Sequence, residues 1–333
     1  MALSEEGNAL VLRQWIAASV ACAVLAAATS TCLAQAWPSR TVKVVVPYAP
    51  GGVTDTMARV TADRLGKMLG QTFFIENKPG AGGAIGVDYA LHSPADGYTI
   101  MFVGSTLFTV LPLAQKVNYE PLKDLVPISI TGTNGMILVA AKDAPYSTLR
   151  EFIDYARARP GKITYSSGGP ATNNHLPTAY LAGLEHLDMV HVPFRGGQQA
   201  LAAVLGNSVD VHFGNSSDIL EPVKGGQVKA LAVSTPQRIP QLPDVPTVAE
   251  TVPGFEYVAW NGYAAAGSSF PQDVAGRLVE ALQTIARDPE IVRLFANLGI
   301  VSVGTTQQEA VESVRRDMPI YSKIVDMAGV RFK

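Results

Sequence analysis

Past residue 36 this chain has no cysteine, because both of its cysteines, Cys22 and Cys32, lie upstream. A chain without that segment needs no disulfide framework in an oxidising compartment, and thiolate chemistry is excluded. No apolar run beyond residue 36 approaches the ~20 residues that cross a bilayer. The charge is nearly balanced, 26 basic against 28 acidic residues, and no basic stripe marks a nucleic-acid partner. His92, His175, His186, His191 and His212 form no HExxH or related metal pattern, so neither a metal nor a cofactor is expected.

Enzyme signatures are missing too. Gly80-Ala81-Gly82 is followed by Ile85 where a dinucleotide fingerprint needs glycine. Gly66-Lys67 and Gly161-Lys162 lack the Walker spacing, and there is no Gly-x-Ser-x-Gly elbow. Ser167 with His175 as nucleophile and base is the remaining enzymatic reading, a remote periplasmic hydrolase. A non-enzyme is expected.

What is present begins with a leader. Arg13 precedes the apolar run from Trp15 to Ala28, and Ala34-Gln35-Ala36 has the small-x-small form of a signal-peptidase site. Residues 1–36 are therefore expected to be a signal peptide, with a periplasmic chain starting at Trp37. Glu5 and Glu6 make its n-region poorer than usual. Neither cysteine sits in a lipoprotein pattern.

The rest alternates apolar strand-like runs with amphipathic helical stretches, the mark of an α/β protein with largely parallel sheets. Strands are expected at 42–47, 72–76, 98–103, 126–130 and 136–141, with helices at 54–69 and after Gly83. A second series follows: helix 148–158, strand 163–166, helix 174–184, strand 189–192, helix 198–205, strand 209–213 and strand 228–233. After a proline-rich passage at 241–254, a strand at 257–265 returns, and helices at 273–286, 289–298 and 307–327 complete the chain. The expected division is one lobe of residues 37–135 and 257–333, to which the C-terminal helices return, and a second of 136–256.

Ligands of open α/β sheets sit beyond the carboxyl ends of strands. Here those loops are glycine-rich and polar. Pro47-Tyr48-Ala49-Pro50-Gly51-Gly52-Val53-Thr54-Asp55 leads into a helix whose free N–H groups and partial positive charge favour an anion. Tyr48, Gly51, Gly52, Thr54 and Asp55 are the candidates there, Thr54 or Asp55 serving equally well as an N-cap. A side chain at Gly52 is expected to block the ligand and to resist a positive φ. Ala81 and Gly82 of the 79–86 loop, and Ser105 and Thr106, join them. The second lobe contributes Ser166, Ser167, Gly168, Thr172 and His175 from the 166–175 loop, with Arg195 and Asn215 from two further turns. Arg195 also reads as a surface arginine, and His175 as a helix-start packing residue. A micromolar receptor needs about −8 kcal/mol, and charge-assisted hydrogen bonds give roughly 1.5–3 kcal/mol each, so a few suffice.

Taken in order, these strings resemble the solute receptors of tripartite tricarboxylate transporters, the Bug-type periplasmic binding proteins. The resemblance runs from Trp37-Pro38-Ser39-Arg40 through Val46–Asp55, Glu76-Asn77-Lys78-Pro79-Gly80-Ala81-Gly82-Gly83, Asp96-Gly97-Tyr98-Thr99 and His191-Val192-Pro193-Phe194-Arg195-Gly196-Gly197 to Leu242-Pro243-Asp244-Val245-Pro246-Thr247. It implies an α/β, two-lobed, type II-like fold with two interlobe crossovers and a Venus-flytrap closure. It also implies a small carboxylate held by the first Gly-Gly loop, membrane transporter subunits as partners, and a monomer. Gly214 stands where the family often has aspartate, which speaks against an amino-acid ligand, and Ala265 lies where a proline-containing string is usual. A sensory receptor presenting the ligand to a two-component kinase is the alternative.

Overall fold

One inner strand in each of two separate sheets is buried on both faces. These are β5 (Met136–Ala141) and β10 (Ala259–Ala266), every residue of each enclosed. The computed structural model describes residues 37–332 apart from Ser268, so the signal peptide expected at 1–36 lies outside the described residues.

The first sheet takes β1 (Val42–Val46), β2 (Phe73–Asn77), β3 (Thr99–Gly104), β4 (Leu125–Asn134), β10 and β11 (Ile300–Ser302), in the order β11-β4-β10-β3-β1-β2. The second has the order β7-β6-β8-β5-β9, adding β6 (Ile163–Ser167), β7 (Met189–Pro193), β8 (Val211–Asn215) and β9 (Val228–Val233). Helices α1 (Val53–Leu69), α2 (Ala84–Leu91), α3 (Leu149–Arg157), α4 (Leu176–Leu184), α5 (Gly197–Leu205) and α6 (Ser216–Lys224) follow the strands. Helices α7 (Gln272–Ala286), α8 (Pro289–Asn297) and α9 (Gln307–Met327) close the chain. Their ends follow local rules. Thr148 and Glu151 form a capping box at the start of α3, and Gly70 in the left-handed region ends α1.

Both sheets are mixed, where the sequence pattern led us to expect largely parallel ones. β10 runs antiparallel to β3 and β4, and β5 antiparallel to β8 and β9. The reason is topological. β4 ends at the loop-bearing edge of its sheet, and Gly135 alone separates it from β5. The chain therefore enters the second sheet from that sheet's own loop-bearing edge, and β10 enters the first sheet the same way after β9. A strand that crosses between lobes must run against its new neighbours.

Two expectations at the end of the chain change. The short edge strand β11, inside a stretch read as wholly helical, pairs antiparallel with β4. Helix α9 packs on both cores: Ala310 and Val314 join Val103, Phe108 and Trp260, whereas Tyr321, Ile324 and Val325 join Leu138, Phe152 and Phe213. The terminal helix thus ties the first sheet's core to the second's.

Candidate ligand-binding cleft

The loop from Pro47 to Gly52 is organised from below by Asp55. Its Oδ2 accepts from the Gly51 amide at 2.9 Å and from Arg59 Nε at 2.9 Å, and its Oδ1 accepts from Asn77 Nδ2 at 2.8 Å. Asn77 also donates to the Tyr48 carbonyl at 3.0 Å. Burial alone would raise the Asp55 carboxyl, but the hydrogen bonds from Arg59, Asn77 and Gly51 outweigh it and hold it below the usual carboxylate range. Asp55 is thereby a buried loop brace with its charge compensated.

Gly51 needs its glycine, with φ at +88°. Gly52 does not, contrary to expectation. It is the N-cap of α1 with ordinary extended backbone, φ −77° and ψ 170°, and a side chain there would meet nothing within 4 Å. What distinguishes Gly52 is the cap it fails to supply. No side chain caps α1, and the first helical bond runs from Thr56 N to the Gly52 carbonyl. The amides of Val53 and Thr54 are left without a helical partner, at the positive end of a 17-residue helix.

That helix end opens on a hollow of about 270 Å³ between the two sheets, which Tyr48, Gly52, Thr54, Asp55, Ser105, Thr106 and Asn215 line. Two asparagines that sequence reasoning missed, Asn134 and Asn261, line it too, as does Asn173 of the expected 166–175 loop. Thr54 Oγ1 donates to Asn261 Oδ1 at 2.7 Å, and Asn261 Nδ2 reaches Asn134 Oδ1 at 3.3 Å. Asn173 Oδ1 accepts from the Tyr257 hydroxyl at 2.9 Å. Among the described residues, nothing accepts from the side-chain amide groups of Asn134 and Asn173. Enclosure pushes the Tyr48 phenol up, so it stays a neutral donor beside Thr106 Oγ1, 3.5 Å away. Asn134 and Asn261 had a signal, since asparagine is uncommon in strands and each sits in a mostly apolar or β-branched one.

A second hollow, of about 470 Å³, adjoins the first across Tyr48, Thr106 and Asn173, which line both. Gly82 and Thr172 border it. Ala81 lies close by, its carbonyl accepting from Gln115 Nε2 at 2.8 Å.

Several expected residues lie elsewhere. Ser166 is fully buried and donates to the Ala200 carbonyl at 2.9 Å, with His212 Nδ1 3.2 Å away. Gly168 packs against the backbone of Gly196 and Gly197. Ser167 meets His191 Nε2 at 2.6 Å and the Gly169 carbonyl at 3.1 Å, so its histidine is His191 and not the expected His175. His175 is stacked on His191 with ring centres 4.1 Å apart, and its Nε2 lies 3.2 Å from the Tyr165 hydroxyl. Burial, with the neighbouring His191, lowers His175 to about 4, which makes it a neutral packing residue. Arg195 is exposed and lines neither hollow.

The arrangement suits capture of an anion by neutral donors. The model of the TctC family, the tripartite tricarboxylate transporter family receptors, matches residues 57–329. The chain belongs to that family. BugT of Bordetella pertussis is 31% identical over 306 residues, spanning 90% of this chain and 93% of BugT. Among solved TctC-like structures, the R. palustris protein Rpa4515 with adipate is 28% identical, with a TM-score of 0.79 over 89% of this chain and 99% of that one. MatC from Rhodopseudomonas palustris with bound malate is 29% identical, with a TM-score of 0.75 over 87% and 100%. The periplasmic binding protein BugD is 30% identical, with a TM-score of 0.76 over 89% and 100%. The two-sheet, two-lobed architecture described above is therefore that of TctC receptors. Among the described residues, no group of three His, Cys, Asp or Glu side chains comes together to hold a metal.

Proposed function

We propose that this chain is a periplasmic solute receptor that captures a small carboxylate between its lobes and delivers it to the membrane subunits of a tripartite tricarboxylate-type transporter. The observation that carries this reading is the uncapped start of α1 opening on a hollow lined by neutral donors. The relatives solved with adipate and malate support it. Export with loss of residues 1–36 belongs to the same reading.

Lobe 1 is assigned residues 37–135 and 257–333, and lobe 2 residues 136–256. The crossovers near Gly135 and Tyr257 act as the hinge. Gly135 abuts Thr235 just after β9, and its carbonyl accepts from Ser216 Oγ, at the start of α6, at 2.9 Å. The carboxylate meets the amides of Val53 and Thr54, with Asn134, Asn173, Tyr48 and Thr106 around it. No reacting group is required for binding and release.

A thermal-shift panel of mono-, di- and tricarboxylates against sugars and cations tests the proposal. At least one carboxylate is expected to raise the melting temperature by several degrees. A response to sugars alone would end the anion reading.

A further inference from the structure

We infer that the preferred ligand is a monocarboxylate with an apolar body of about phenyl or hexyl size, a proposal that rests on the carboxylate reading above. The second hollow carries it. Val110, Leu111 and Ala114 form one wall, Ala171 a second, and Val330 of the C-terminal tail a third. The tail is held in place there, because the Phe332 amide donates to the Leu113 carbonyl at 2.8 Å.

Beyond Tyr48, Thr106 and Asn173, which it shares with the head-group hollow, the polar side chains of this compartment are already engaged. Gln115 donates to the Ala81 carbonyl, and Thr172 Oγ1 donates to the Gly169 carbonyl at 2.7 Å. Among the described residues, no charged side chain lines it, and Asp55, the one charged residue lining the first hollow, is held by Arg59 and Asn77. A second carboxylate reaching into this space would lose its water and find neither a cation nor side-chain donors beyond those that already surround the first. An apolar body loses nothing by entering. The head-group hollow and the body compartment share Tyr48, Thr106 and Asn173, so one molecule can fill both.

The test is calorimetry on the full exported protein, refolded from denaturant to remove any retained ligand. Acetate, hexanoate, benzoate and adipate are the probes, with hexanol as a body lacking the carboxylate. Each methylene buried in the apolar compartment strengthens binding about fourfold, so hexanoate or benzoate is expected to exceed acetate by at least tenfold. Adipate, which has the chain and a second charge, is expected to bind at least tenfold more weakly than hexanoate. Val330→Asn is expected to weaken hexanoate about threefold or more and to leave acetate within twofold.

Adipate binding as tightly as hexanoate would overturn the inference and leave the carboxylate receptor intact. Unchanged hexanoate affinity in Val330→Asn would also overturn it. Binding of hexanol with no response to any carboxylate, or no response to any probe, would overturn the receptor reading and this inference together. A preference for benzoate assigns a ring to the body, and a preference for hexanoate assigns a chain.

Discussion

The loop after β1 and the loop after β6 are built from the same small and polar residue types, yet each leaves its backbone amides in a different state. After β1, the N-cap is a glycine without a cap bond, and α1 begins with unpartnered amides facing the cleft. After β6, the hydroxyls turn inward. Ser167 and Thr172 both bond the Gly169 carbonyl, and the Thr172 carbonyl accepts from the amides of His175 and Leu176 at 2.9 and 3.1 Å. Pro177 then removes a further donor from the start of α4. One loop leaves its helix start uncapped. The other is a self-satisfied lip that shapes the cleft wall. Residue composition does not separate them; the presence of a competing acceptor within the loop does.

The largest effect that would sharpen this contrast is the pH dependence of stability. Burial lowers His175 and His212 to about 4 each, His175 further depressed by His191 and His212 partly compensated by the Ser166 carbonyl. Both stay neutral in the fold, while the unfolded chain takes up protons below about 6.5. Stability is therefore full above that value and lost as pH falls toward 4, by about 2 kcal/mol for each histidine. Chemical denaturation at pH 7 and pH 4.5 measures this. Equal stability at both values would mean that the second-lobe network is not sealed.

Next in size is Gly52→Asp. The extended backbone and open space accept the side chain, and an aspartate N-cap would gain a few tenths of a kcal/mol over glycine. Its carboxylate would also occupy the site meant for the ligand. Carboxylate affinity is expected to fall about a hundredfold, equivalent to ~2.7 kcal/mol, with the melting temperature unchanged or raised. Wild-type affinity in a folded Gly52→Asp protein would move the anion away from α1 and erase the difference between the two loops.

The smallest effect concerns strain beside the second hollow. Ala81, in the loop after β2, and Ala171, in the loop after β6, each adopt a positive φ, 48° and 60°. The left-handed region costs a residue with a Cβ about 1–2 kcal/mol, and glycine's greater freedom when unfolded offsets roughly half of that. Ala171→Gly and Ala81→Gly are each expected to add up to about 1 kcal/mol in urea unfolding, with affinity reduced if the strain holds the lip in place. A loss of stability in either variant would show that the conformation is not strained.

Much of this was legible before any coordinates. The alternation of strands and helices, the cleft-facing glycine loops and the ordered strings of the family are local properties of the chain. Gly214 shows how a local signal also reaches the interior: a Cβ there would lie 2.4 Å from Ile219, so an aspartate has no room in this core. Asp55 and Arg195 were legible only as residue types. Their roles depend on neighbours, since a compensated aspartate and an exposed arginine look the same in sequence as ligand contacts.

The sequence by itself determined the two-sheet class, the crossover at Gly135 and the anion-favouring start of α1, because these follow from hydrophobic period and backbone chemistry within a few residues. Tertiary structure alone decided the direction of β5 and β10, the bridging role of α9, and the set of donors left free in the cleft. Thr54 meets Asn261 across 207 residues of chain, and Val330 faces Val110 only because α9 carries the tail back. A hydrogen-bonding group is available to a ligand only when nothing in the folded chain has reached it first, and that is a property of three-dimensional proximity.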